Sequence, residues 1–207
     1  GTGNLDANPY FVNQPDFNNA PTTAGDLHLT ACSPAVNVGT NTGAPADDLD
    51  GNSRPFDGTV DMGAYELQGF LSGRRYVNAS AATSGNGTSW ACALRDVQSA
   101  INMSVSGDEI WVAAGTYKPT LDPFGNATPA DPRDRTFYLK NGVKLYGGFA
   151  GTETLLSERD WVANLSTLSG DFNGDDVGFT NNGENAYHVV LSVLDGVNTI
   201  FDGFTVK

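Results

Sequence analysis

Two runs decide the fold: Ala93-Leu94-Arg95-Asp96-Val97-Gln98-Ser99-Ala100-Ile101 and Gly107-Asp108-Glu109-Ile110-Trp111-Val112-Ala113-Ala114-Gly115-Thr116-Tyr117. In the first, Ala93, Leu94, Val97, Ala100 and Ile101 recur at helical spacing, which predicts one amphipathic helix over 90–103 with Ser89 as its cap. In the second that period is lost, and a short apolar block bounded by glycine reads as a strand over 109–113. Strand-sized runs follow at 135–139, 143–149, 188–193 and 199–206, each bounded by Gly, Asn or Asp. The loops between them, at 117–135 and 150–187, are long for the tight hairpins of a sandwich. The spacing therefore predicts an all-β parallel solenoid, whose coils bury their inner side chains against one another. The single α-helix would lie across the open end and cover its backbone groups and apolar interior.

Upstream, residues 1–67 alternate loop chemistry with short apolar runs. Tyr10-Phe11-Val12 is one, Asp26-Leu27-His28-Leu29-Thr30 has strand alternation, and Ala35-Val36-Asn37-Val38 reads as a further strand. Residues 39–59 are rich in Gly, Asn, Asp and Pro and predict a long ordered loop. The expected organisation is a closing segment at 1–67, a linker at 68–75, and a cap with first coils at 76–207.

The motifs resemble a known class. Thr88-Ser89-Trp90, the Ala93–Ile101 run, Gly107-Asp108-Glu109-Ile110-Trp111-Val112 and Gly115-Thr116-Tyr117 are similar to the start of right-handed parallel β-helix domains of the pectate-lyase-like superfamily. Leu145-Tyr146-Gly147-Gly148-Phe149-Ala150-Gly151-Thr152-Glu153, Glu158-Arg159-Asp160-Trp161 and Leu168-Ser169-Gly170-Asp171 resemble large secreted β-helix proteins of Bacteroidetes-type bacteria. Asn4-Leu5-Asp6-Ala7-Asn8-Pro9, Cys32-Ser33-Pro34-Ala35-Val36-Asn37 and Asp61-Met62-Gly63-Ala64-Tyr65-Glu66 resemble the choice-of-anchor Q domain, a closing segment of the same class. The resemblance implies a right-handed parallel β-helix with one capping α-helix, in an extracellular, cell-surface protein. Many proteins of this class are regarded as adhesins, most without an assigned activity. The closing motif here precedes the opening one, and the central coils of the family pattern are missing. That order predicts head-to-tail pairing of copies into a fibre, or one period of a tandem array, with this chain or its tandem neighbours as partner; the plainer alternative is a piece of one very long protein whose central coils lie elsewhere.

Composition narrows the function. The 207 residues carry 24 Asp and Glu against 11 Lys and Arg, a formal net charge of -13. Such a surface repels phosphates and excludes nucleic acid as a partner. No stretch approaches the length of an apolar membrane span. The two cysteines, Cys32 and Cys92, lie in different halves. Either they form a disulfide, or both are small buried residues.

Two acidic loops are candidate Ca²⁺ sites. Asp48, Asp50 and Asn52, within a stretch that also holds Asp47, Asp57 and Asp61, have alternating oxygens. So do Asp171, Asn173 and Asp175. Neither is an EF-hand: the sixth position of the first is Ser53, and the twelfth positions are Thr59 and Asn182. The plainer reading of the first is a loop held by Asx-turns and an Asp–Arg54 pair. Asp131, Arg133, Asp134 and Arg135 are the best catalytic candidates, against a solvated turn leading into a strand. Trp90, Trp111 and Trp161 read as packing rather than as a sugar platform, and His28 and His188 as structural. No catalytic constellation emerges, so the expected function is structural or adhesive, with surface glycans as ligands. A polysaccharide lyase or hydrolase, or a carbohydrate-binding module, is the alternative.

Overall fold

The structure, a computed structural model, describes residues 5–19, 21–56, 58–68, 73–193, 196 and 198–207. Residues 1–4, Asp57 and residues 69–72, half of the expected linker at 68–75, lie outside the described residues. The chain divides into two compact units, 1–72 and 73–207.

In the first unit, β1 (Phe11–Asn13) pairs antiparallel with β2 (Asp26–Leu29), Phe11 opposite Leu29 and Asn13 opposite Asp26. Leu29, Ala35 and Val36 form a small core, with Phe11, Met62 and Leu67 against it. The strand expected at 35–38 is a turn instead. Asn37 takes a positive φ of 57°, and its N–H is drawn to Asp61 Oδ1 at 2.7 Å. The described residues of the loop at 39–59 form turns, with a bridge between Asp47 and Ser53 at the neck of the acidic turn.

In the second unit β3 (Arg74–Val77), β4 (Glu109–Ala113), β7 (Lys144–Phe149) and β10 (Ile200–Asp202) form a four-stranded parallel sheet in the order β10-β7-β4-β3. Strands β5 (Gly115–Tyr117), β8 (Ser166–Leu168) and β11 (Phe204–Val206) form a second parallel sheet, and β6 (Phe137–Tyr138) with β9 (Val190–Leu191) a third. Register explains why 110–113 is apolar throughout rather than alternating. Ile110, Val112 and Leu145 face a core shared with Val77, Ile101, Tyr117, Phe137 and Leu168. On the other face Trp111, Tyr146 and Phe149 form a separate aromatic cluster with Tyr76 and Trp90. A sheet buried on both faces needs apolar residues at every position.

Gly147 and Gly203 stand where β7 and the β10–β11 corner nearly touch. A Cβ on Gly147 would lie 2.4 Å from the Gly203 carbonyl oxygen, and Gly203 has a φ of 79°. Only glycine fits either position without displacing backbone.

The helix is shorter than predicted. Residues Trp90–Cys92 form a 3-10 turn capped by Ser89, and the α-helix α1 (Val97–Met103) begins only after Asp96, whose carboxylate caps it. Between them Leu94 is extended and pairs with β3: its N–H donates to Tyr76 O at 2.9 Å, and Asn78 N–H donates to Leu94 O at 2.8 Å. That pairing and the Tyr76 N–H bond to Gly87 O at 2.8 Å cover the β3 edge. Leu94 thus belongs to the apolar stripe but not to the helix.

The expected all-β right-handed parallel β-helix with one capping α-helix is corrected. The described strands make four small sheets, one of them antiparallel, and no continuous solenoid is found; with α1 packed into its core, the second unit has the character of a small α/β domain. Two physical features account for the difference. The first unit uses a hairpin-type ladder where coils were expected, and most strands are two to four residues long, separated by ordered loops. No helix among the described residues is long and apolar enough to cross a membrane.

Candidate metal and ligand sites

The loop after β8 carries the densest acidic grouping. Asp171 is 8% exposed and organises the turn: its carboxylate accepts the N–H groups of Gly174, Asp175 and Asp176. Burial pushes its carboxyl up, but those amides and the Lys118 ammonium outweigh burial and hold it below the usual carboxylate range. The fold brings one oxygen from each of Asp171, Asp175, Asp176 and Glu184 within 4.8 Å of one another, a group able to hold a metal ion. Glu184 Oε1 and the neighbouring Asn185 Oδ1 are buried and accept no hydrogen bond. Buried acceptors without a donor cost free energy that a cation would recover. Of the three predicted ligands here, Asp171 and Asp175 join this group, while Asn173 sits exposed on the turn between them. Sequence spacing missed Asp176 and Glu184. An EF-hand count stops at Asn182, and Glu184 lies two residues beyond it.

The first predicted loop is built differently. Both oxygens of Asp48 are engaged by protein donors: the backbone N–H groups of Asp50 (2.9 Å), Asn52 (2.8 Å) and Glu66 (2.9 Å), and the Asn52 side-chain amide (3.1 Å). Burial pushes its carboxyl up, and these bonds outweigh burial, leaving it at about 2. Asp50 turns away to His28, its Oδ2 lying 2.6 Å from the ring Nε2. With Asp48 held by these donors and Asp50 by His28, we assign no metal to Asp48, Asp50 and Asn52. Arg54 pairs with Glu66 at 3.0 Å, not with an aspartate.

Of the catalytic candidates, Arg133 and Asp134 line a cavity of about 270 Å³ in the second unit, walled also by Phe124, Tyr187 and His188, while Asp131 and Arg135 do not. Asp131 caps the 3-10 turn Pro132–Asp134 through Arg133 N–H and accepts the Tyr187 hydroxyl at 2.9 Å. The Arg133 amide first, then the Tyr187 hydroxyl, hold Asp131 below the usual carboxylate range; the same bond raises the Tyr187 phenol. Arg133 lies over the Tyr187 ring at 4.3 Å, and its Nε donates to Asn185 O at 2.7 Å. Phe124 stands 95% exposed beside them, on a turn pinned by Asp122 through the N–H groups of Phe124 and Asn126. Asp131 thus serves as a cap and a tyrosine anchor, and Arg135 stacks over Phe172 at 4.6 Å.

The tryptophans divide. Trp111 is fully buried and stacked on Phe149 at 4.6 Å, and Trp90 packs edge-on to Tyr76. Trp161 is 54% exposed. Neither cysteine is free. Comparison with protein-family models, with curated proteins and with solved structures finds no match for this chain.

Proposed function

We propose that this chain is a structural and adhesive module of an extracellular, cell-surface protein. In this reading it takes up Ca²⁺ in the loop after β8 and binds surface glycans at the Phe124–Tyr187 cavity. The observation that carries the reading is how the shifted carboxylates are used. Asp48, Asp131, Glu158, Asp160 and Asp171 are held low by backbone amides, as caps and turn-holders; Asp61, which burial pushes up beside Glu66, is also a turn-holder, its two oxygens accepting the N–H groups of Asn37 and Leu67. A carboxylate so engaged stays ionised and is a poor proton donor, whereas a glycosidase needs one with a raised pKa facing a second.

The ligand chemistry follows from the cavity wall. Two exposed rings, Phe124 and Tyr187, offer faces for a pyranose, and Arg133, Asp134 and His188 offer donors and acceptors to hydroxyls. The charge of -13 disfavours strongly anionic polymers, so neutral glycans fit best. For the cation, an all-oxygen donor set suits Ca²⁺ over transition metals. Head-to-tail self-association belongs to the same proposal. Strands β9, β10 and β11 each pair on one side among the described residues, and such edges are templates for further pairing.

A glycan array probed with the intact chain tests this. Binding to neutral glycans, weakened at least tenfold by Tyr187→Ala or Phe124→Ala, is expected. Release of unsaturated or reducing ends from any polysaccharide, lost in Asp131→Asn, would establish the enzymatic alternative instead.

A further inference from the structure

We propose that Asp26, His28 and Asp50 form an acid-held clasp that fastens the acidic turn at 47–54 to β2 and releases it as pH rises. The geometry forces the protonation state. His28 Nε2 faces Asp50 Oδ2 at 2.6 Å, and Nδ1 faces Asp26 Oδ1. A carboxylate only accepts, so both ring nitrogens must donate, and only the imidazolium does that. Tyr65 stacks on the ring with centroids 3.9 Å apart and fixes its plane.

The two carboxylates differ in how they are held. Asp26 is on the same strand as His28 and also accepts its backbone N–H at 3.0 Å. Asp50 belongs to a turn whose frame is set by Asp48, independently of His28. The bond that joins turn to strand is therefore the one from Nε2. The other charged groups nearby are already engaged: Asp48 by amides and Glu66 by Arg54. Among the described residues no Lys or Arg pairs with Asp26 or Asp50, so the ring is the sole cation between them.

The sign follows directly. The bond to Asp50 first, then that to Asp26, raise the His28 pKa against the opposing effect of burial. The clasp is complete below the unfolded value of 6.5 and is lost as pH rises through the higher folded value. A neutral ring keeps one N–H and turns a lone pair toward the other carboxylate. Asp26 stays in place by its position on β2, so the turn is what lets go.

Two-dimensional NMR on the intact chain, from about pH 5 to about pH 9, tests this. The His28 ring is expected to titrate above 6.5, with the Asp50 and Gly51 amides moving at the same midpoint. Asp50→Asn should lower the midpoint, and His28→Gln should abolish the response of the turn while the rest of the spectrum is kept. A ring midpoint at or below 6.5, turn amides that do not follow the ring, or an unchanged midpoint in Asp50→Asn would each overturn the clasp. The wild-type titration decides even if a variant fails to fold.

Discussion

Arg54 and Glu66 have side chains only 6% and 0% exposed, and each is tied further into the closing loop of the first unit. Arg54 donates to the carbonyls of Asp61 at 2.8 Å and Gly63 at 3.1 Å, while Glu66 accepts the N–H groups of Phe56 and Asp61. Removing the cation alone leaves a buried carboxylate without its countercharge, a change that costs about 3–5 kcal/mol. Arg54→Met is expected to lower the unfolding free energy by about that much in urea titration. Arg54→Met with Glu66→Gln should cost less than the single change, and a single-variant loss under about 1 kcal/mol would show that the pair does not hold the loop. The sequence pointed to an ordered loop with an arginine partner, because Asx-rich turns and a lone Arg54 are local signals. It did not point to Glu66, which follows from how the chain returns. The same holds at the metal group: Asp171 and Asp175 are legible from their spacing, whereas Glu184 arrives through a loop that obeys no spacing rule.

At the level of elements, what was legible is what depends on neighbours in sequence. The bounds 109–113 match β4, and 143–149 nearly matches β7, because continuous apolar runs between glycines leave few alternatives. The helix was over-extended because Leu94 serves a β-bridge with the same apolar side chain that a helix stripe would use. Gln98 is the residue that local reasoning passed over. It is 4% exposed on α1, and its amide copies a peptide group toward β6: Tyr138 N–H donates to Oε1 at 2.8 Å, and Nε2 donates to Tyr138 O at 3.3 Å. The helix thereby satisfies backbone groups that an edge strand would leave bare. Gln98→Leu, which keeps the volume and removes both partners, should cost about 1–3 kcal/mol for a stranded buried group. Chemical denaturation measures it, and hydrogen exchange should show the Tyr138 amide losing protection first. A Tyr138 amide as protected as in wild type would mean that other groups cover this strand. Leu94→Asp should cost several kcal/mol by burying a charge in the same core.

For the whole molecule, the charge balance sets how cations act. With 24 acids against 11 bases, self-repulsion opposes compactness, and any salt screens it. A specific Ca²⁺ site must therefore be separated from screening. The two acidic loops make opposite predictions. The Asp48 turn engages Asp48 with backbone amides and Asp50 with His28, while the group after β8 leaves Glu184 Oε1 and Asn185 Oδ1 buried without donors. Ca²⁺ at a hundred times its dissociation constant is expected to add about 2.7 kcal/mol, beyond the effect of NaCl at matched ionic strength. Calorimetric melting of the intact chain is the measurement, with EDTA as the return leg. Glu184→Gln should abolish the Ca²⁺ increment, whereas Asp50→Asn should leave it unchanged. An increment no larger than that of matched NaCl, or one that survives Glu184→Gln, would remove the metal from this loop. The acidic surface would then act through screening alone.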